Sequence, residues 1–139
     1  MTEASLSLAL RQQTVIRLRA VPDLTGITDR LFGEVAQSED GSPPERPFGR
    51  FGVDEELPKR SSCWGRGRTI EFPWHSFSKE KFTDEVRRMN DIVERELDGA
   101  VLDLGGGIRA TLEWLSSTVL RDAGDPGAWH GIARFRATI

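Results

Sequence analysis

The stretch Val119–Ala137, VLRDAGDPGAWHGIARFRA, constrains the fold more than any other part of the chain. After a Gly/Pro/Asp loop its residues alternate. Trp129, Gly131, Ala133 and Phe135 fall on one side, and His130, Ile132, Arg134 and Arg136 on the other. Period-two alternation marks a strand with one buried face. A strand of this kind at the end of the sequence predicts a sheet whose core closes only when the last residues are in place.

The chain has 139 residues, which predicts a single domain spanning 1–139. Charged residues make up 29% and the formal net charge is −3. A mildly acidic chain is poorly suited to gripping polyphosphate, because that affinity rests on clustered Lys and Arg. The single cysteine, Cys63, excludes an internal disulfide and a cysteine-rich zinc site, and makes a reducing cytosol the expected compartment. The N-terminal apolar run is broken by Arg11 with no charged segment before it, so it does not read as a signal peptide. Nothing approaches the ~20 apolar residues of a membrane span.

Ser5–Ala20 reads as a helix, with Leu8, Val15 and Leu18 on one face and Pro22 ending it. Asp23–Asp29 reads as a loop around Gly26, and Arg30–Ala36 as a short strand. Gln37–Arg46 is polar apart from its prolines and reads as an exposed loop. Phe48–Asp54 is a strand in which Gly49 and Gly52 mark a bulge or a close backbone approach. Glu55–Gly67 reads as a second polar loop. Arg68–Trp74 is a strand with Ile70, Phe72 and Trp74 on one face, and Pro73 suggests an edge strand or a strand end.

Ser78–Asp98 carries the firmest helical pattern. Phe82, Val86, Met89, Val93 and Leu97 form one stripe, Ser78 is the expected N-cap, and Gly99 the expected C′ glycine. Val101–Leu104 and Ile108–Leu115 flank Gly105–Gly107 as a hairpin, with Ala110, Leu112 and Trp114 sharing a face. The order predicts an α+β fold, a mostly antiparallel sheet with two amphipathic helices packed on one face.

No segment supports catalysis. Gly105–Gly107 is followed by strand-type alternation and not by a Lys-Ser/Thr helix start, so it is a turn and not a phosphate loop. His75 and His130 belong to no metal or triad motif and read as outward strand residues. Trp74, Trp114 and Trp129 read as packing residues. Catalytic, metal and cofactor residues are therefore expected to be absent. The expected working surface is instead a protein interface built from Arg60, Trp64, Arg66 and Arg68, with Arg134 and Arg136 on the outer face of the last strands. With Lys59, the first group also fits single-stranded nucleic acid.

Taken in order, VPDL at Val21–Leu24, RPFGRFGVDEE at Arg46–Glu56, the Ile70–Leu97 strand-and-helix and the VLRD…WHGIARFRA ending resemble the tail-completion, or tail-terminator, family of long-tailed phages, prophages and gene-transfer particles. The resemblance implies a non-enzymatic α+β subunit of the virion, assembled in the bacterial host cytoplasm. It implies a ring, typically of six copies, on the head-proximal end of the tail tube. That ring would stop tube polymerisation, contact the major tail tube protein and the head-tail connector or stopper, and let DNA pass without specific binding. Another neck or head-closure component and a small nucleic-acid-binding module are the alternative readings.

Overall fold

A computed structural model of the chain describes residues 5–33, 44–58, 68–122 and 125–139. Helix α1, Leu6–Arg19, starts at Ser5, whose hydroxyl accepts the Leu8 N–H at 3.3 Å. Its buried face is Leu10, Thr14, Val15 and Leu18; Leu8 is 40% exposed, so the stripe lies a step round the helix from the one expected. Pro22 does more than end α1. It opens a one-turn helix α2, Pro22–Thr25, where its missing N–H costs nothing, and this replaces the expected loop.

Strand β1, Leu31–Phe32, is shorter than expected, and β2 is Phe48–Phe51. The polar stretch after Asp54 begins not as a loop but as a strand, β3, Glu55–Pro58. It is legible only through its pairing, because Glu55, Glu56 and Leu57 are all exposed. Strand β4, Arg68–Phe77, runs beside both β2 and β3 on one side and β7 on the other. Pro73 is thus in a central strand and not at an edge. Its carbonyl accepts Gly52 N–H at 2.8 Å, so its backbone polar side faces the gap between β2 and β3, where no ladder bond needs a proline N–H.

Helix α3 is Asp84–Leu97, with Thr83 at the N-cap position making no side-chain capping bond, and starts later than the apolar stripe suggested. Phe82 is 71% exposed, and Ser78 is buried with its hydroxyl against the Trp129 carbonyl at 3.4 Å, so neither joins the helix. Val86, Met89, Ile92, Val93 and Leu97 are buried, and Gly99 follows with φ 78° as the sequence predicted. Strands β5, Val101–Gly105, and β6, Ile108–Asp122, form the expected hairpin, turning through Gly105, Gly106 and Gly107 at positive φ. Strand β7, Asp125–Thr138, closes the sheet.

The strand order is β1-β2-β4-β7-β6-β5, with β3 beside β4; every pairing is antiparallel except β1 with β2. The fold is α+β, with a mostly antiparallel sheet as expected. The final strand lies in the middle of the sheet, between β4 and β6. Its inner residues Ala133, Phe135 and Ala137 are fully buried with Ile70, Phe72, Trp74, Leu112 and the apolar faces of α1 and α3. Phe51, Phe72 and Phe135 stack in series at 4.5 and 5.6 Å. Two close approaches set how tightly the layers fit. A Cβ at Gly131 would lie 2.7 Å from Asn90 Oδ1 and 2.8 Å from Val86 Cγ2, so α3 crosses β7 there; one at Gly49 would lie 2.9 Å from the Trp74 ring.

Candidate functional site

The helices cover the inner face of the sheet. Among the described residues, the outer face carries Phe48 and Arg50 from β2, Glu71, Pro73, His75 and Phe77 from β4, and His130, Ile132, Arg134 and Arg136 from β7. The pleat dictates this set, since each residue is one step out of phase with a buried neighbour.

The two histidines meet on this face. His75 lies opposite Ile132 and His130 opposite Phe77, so the rings are diagonal neighbours across β4 and β7. His75 Nδ1 and His130 Nε2 are 2.7 Å apart, so one ring donates its N–H and the other accepts. Phe77 stacks on His130 at 4.3 Å, and Phe48 stacks on Phe77 at 4.5 Å. The guanidinium groups of Arg46 and Arg50 lie 5.5 and 5.7 Å from the Phe77 ring centre. Gly52 lets the chain close over His75, because a Cβ there would come within 2.6 Å of His75 Nε2.

The electrostatics of this platform are cationic. Burial pushes His75 down to about 4, and the charges of Arg50, His130 and Arg134 add to the effect. His130 is also lowered, first by burial, with Asp122 opposing and Arg50 and Arg46 assisting. Burial lowers Arg50 as well. Arg46 is paired to Asp122, which ties the approach to β2 to the far end of β6. Arg50 and Arg134 form no ion pair with any described residue. Further along the face Arg136 lies between Glu71 at 3.7 Å and Glu113 at 3.9 Å, a ladder across β4, β7 and β6.

A second surface lies on the other side of the sheet, at the β6 edge. β5 pairs with β6 only as far as Thr111, and the linker residues Gly99 and Ala100 continue to Leu112. From Leu115 to Asp122 no described strand covers the outer edge of β6. Trp114, expected in the core, is 41% exposed here. It keeps the inward phase of Ala110 and Leu112, opposite Phe135, and the bulge lies just past it, so its exposure comes from its place at the β6 edge beyond the end of β5. Its N–H donates to Asp98 Oδ1 and its indole to Ser117 Oγ, both at 3.0 Å, and Ser117 in turn donates to Glu94. Asp91, Glu94, Arg95 and Asp98 of the α3 end line a groove with it. Arg95 is turned away to Asp23, at 3.0 Å, and to Glu96. Trp74 is fully buried as expected, and Trp129 is half-buried, with Arg121 stacked 4.8 Å from its ring.

The expected interface group is therefore divided. Arg60, Trp64, Arg66, Lys59 and Cys63 lie outside the described residues. Arg68 begins β4 and bonds Glu56 Oε1 at 2.8 Å, and the pleat sends it to the face opposite Arg134 and Arg136. Among the described members of the group, Arg134 and Arg136 share a surface and Arg68 does not. Sequence reasoning missed Arg50, Phe77 and the histidine pairing; the one available signal was that both histidines fall in the outward phase of their strands. Among the described residues no three His, Cys, Asp or Glu side chains converge to hold a metal, and no described helix is long and apolar enough to cross a membrane.

The family model for tail completion protein gp17 matches residues 13–139. The chain belongs to that family. The match includes the strand-and-helix and C-terminal segments that carried the resemblance in the sequence. As a tail completion protein it is a structural component of a phage-type tail. A chain in the solved structure "Virion of native gene transfer agent (GTA) particle" aligns with 98% of this tail completion protein and 98% of its own length, at a TM-score of 0.78 and 18% identity, so the two share a fold. No curated protein sequence matches the chain.

Proposed function

We propose that this tail completion protein forms a ring of its own copies, typically six, on the head-proximal end of the tail tube. The ring ends tube polymerisation by contact with the major tail tube protein and offers its other side to the head-tail connector. The whole chain acts as one structural unit without turnover, and assembles in the host cytoplasm before joining the virion.

The observation that carries this reading is the edge of β6 from Leu115 to Leu120, which no described strand covers, with Leu115 and Leu120 36% and 46% exposed. A long edge with apolar side chains invites pairing with another chain, and soluble monomers usually blunt or cover such edges. Family membership supplies the setting in which that pairing is useful. Two unlike surfaces on opposite sides of the sheet suit head-to-tail contacts, which close as rings. The acidic balance of −3 suits a channel through which DNA slides, since unpaired cations would hold phosphate.

Native mass spectrometry of the purified protein, with negative-stain imaging across a concentration series, tests the ring. The expected result is a closed oligomer in exchange with monomer. A species that stays monomeric at every concentration, alone and on tail tubes, contradicts the reading.

A further inference from the structure

On the outer platform Arg50 and Arg134 have no carboxylate partner among the described residues, and the β6 edge has carboxylates around an exposed aromatic. We propose that these are the two halves of one contact: the Trp114 edge of one copy docks on the Arg50–His75–His130–Arg134 face of the next. The proposal rests on the ring reading and names the surfaces that would build it.

Charge complementarity selects a second copy as the occupant. Arg50 is half-buried above Phe77, so its guanidinium has already lost part of its water and gains more from a new carboxylate than a fully solvated cation does. Arg134, two strands away across β4, is exposed. On the other surface Asp91 is exposed and without a partner among the described residues, and Glu94 and Asp98 stand beside it. Ser117 holds the indole of Trp114 and Asp98 its backbone N–H, so this large anchor is fixed at the rim before it meets a partner. An indole brought against a guanidinium also gains a cation–π contact.

Position supports the pairing. The platform lies on β2, β4 and β7, on the face the helices leave open; the Trp114 groove lies between α3 and the β6 edge, on the helix side. The surfaces do not overlap, so each copy offers both at once. A contact between unlike patches repeats head to tail and closes on itself when the rotation allows, whereas a two-fold dimer needs one patch that fits itself.

A charge-reversal exchange tests this directly. One variant carries Arg50→Glu with Arg134→Glu; the other carries Asp91→Lys with Glu94→Lys. Arg134→Glu alone serves as the milder form, because Arg134 is exposed and its replacement leaves the packing intact. Each variant by itself should need at least ten-fold higher subunit concentration to assemble. An equimolar mixture should restore rings in which the two variants alternate, because each interface then has opposite charges again.

Rings from the separate variants at wild-type concentrations would overturn the proposal and leave the ring reading standing. So would a mixture of folded variants that fails to assemble. Unchanged assembly with weakened binding of labelled single-stranded DNA on Arg134→Glu would overturn it in favour of phosphate on the platform. Failure of the unmodified protein to form any ring would instead remove the parent reading.

Discussion

His75 and His130, 55 residues apart in sequence, share a 2.7 Å hydrogen bond across β4 and β7. The bond requires at least one unprotonated ring nitrogen between them, and the neighbouring charges are Arg46, Arg50 and Arg134, with Asp122 the opposing carboxylate. His75 titrates at about 4 in the folded chain against 6.5 ordinarily. The unfolded chain therefore binds more protons between these values, and stability rises with pH across that window.

The stabilisation is complete above about pH 6.5 and is lost as pH falls toward 4. Because the rings are only half-buried, the effect is ~1–2 kcal/mol after screening. Urea denaturation at several pH values should show this slope. In His75→Gln the slope should flatten; an unchanged slope would mean that other groups set the acid sensitivity.

Gly131 fixes the distance between α3 and β7. Its replacement by alanine places a methyl group 2.7 Å from Asn90 Oδ1 and 2.8 Å from Val86 Cγ2, and one layer must shift. The expected cost is ~1–3 kcal/mol, as for other overpacked cores. Thermal unfolding of Gly131→Ala checks it, and a melting temperature equal to that of the unmodified protein would show that the helix docks elsewhere.

Phe72 stands between Phe51 and Phe135 and is 1% exposed. Phe72→Ala should cost ~3–5 kcal/mol, the transfer term plus an unfilled cavity. By contrast Trp114→Ala removes a ring that is 41% exposed, and should leave the unfolding free energy within ~1 kcal/mol while weakening assembly. Comparable losses of stability from the two variants would place Trp114 in the core.

Removing residues from Trp129 onward deletes most of β7, which pairs with β4 and β6 on its two sides. No folded product is expected. A soluble truncated chain with the circular dichroism of the intact protein would contradict the strand order.

Much of this architecture is written locally. The alternation from Trp129 to Phe135 reveals β7 because the face carrying Gly131, Ala133 and Phe135 is buried, and Gly105–Gly107 reveals the β5–β6 turn because positive φ favours glycine. Other parts depend on partners that no local pattern encodes. β3 looks like a polar loop because Glu55, Glu56 and Leu57 are all exposed, and only the register against β4 makes it a strand. Ser78 resembles an N-cap, yet its hydroxyl is claimed by Trp129, 51 residues away. Trp114 keeps the inward phase yet stands at the rim, because β5 stops pairing at Thr111, and no local pattern marks that. The histidine platform was hidden for the same reason: each ring was visible as outward-facing, but their meeting depends on how β4 and β7 align.

The central claim is that this tail completion protein ends the tail tube by its presence as a ring. The most direct test is electron microscopy of particles assembled without it, measuring tail length and head attachment. The account predicts tubes of uncontrolled length or tails that fail to join heads, with both defects corrected when the protein is restored. Tails of normal length, joined to heads in its absence, would contradict it.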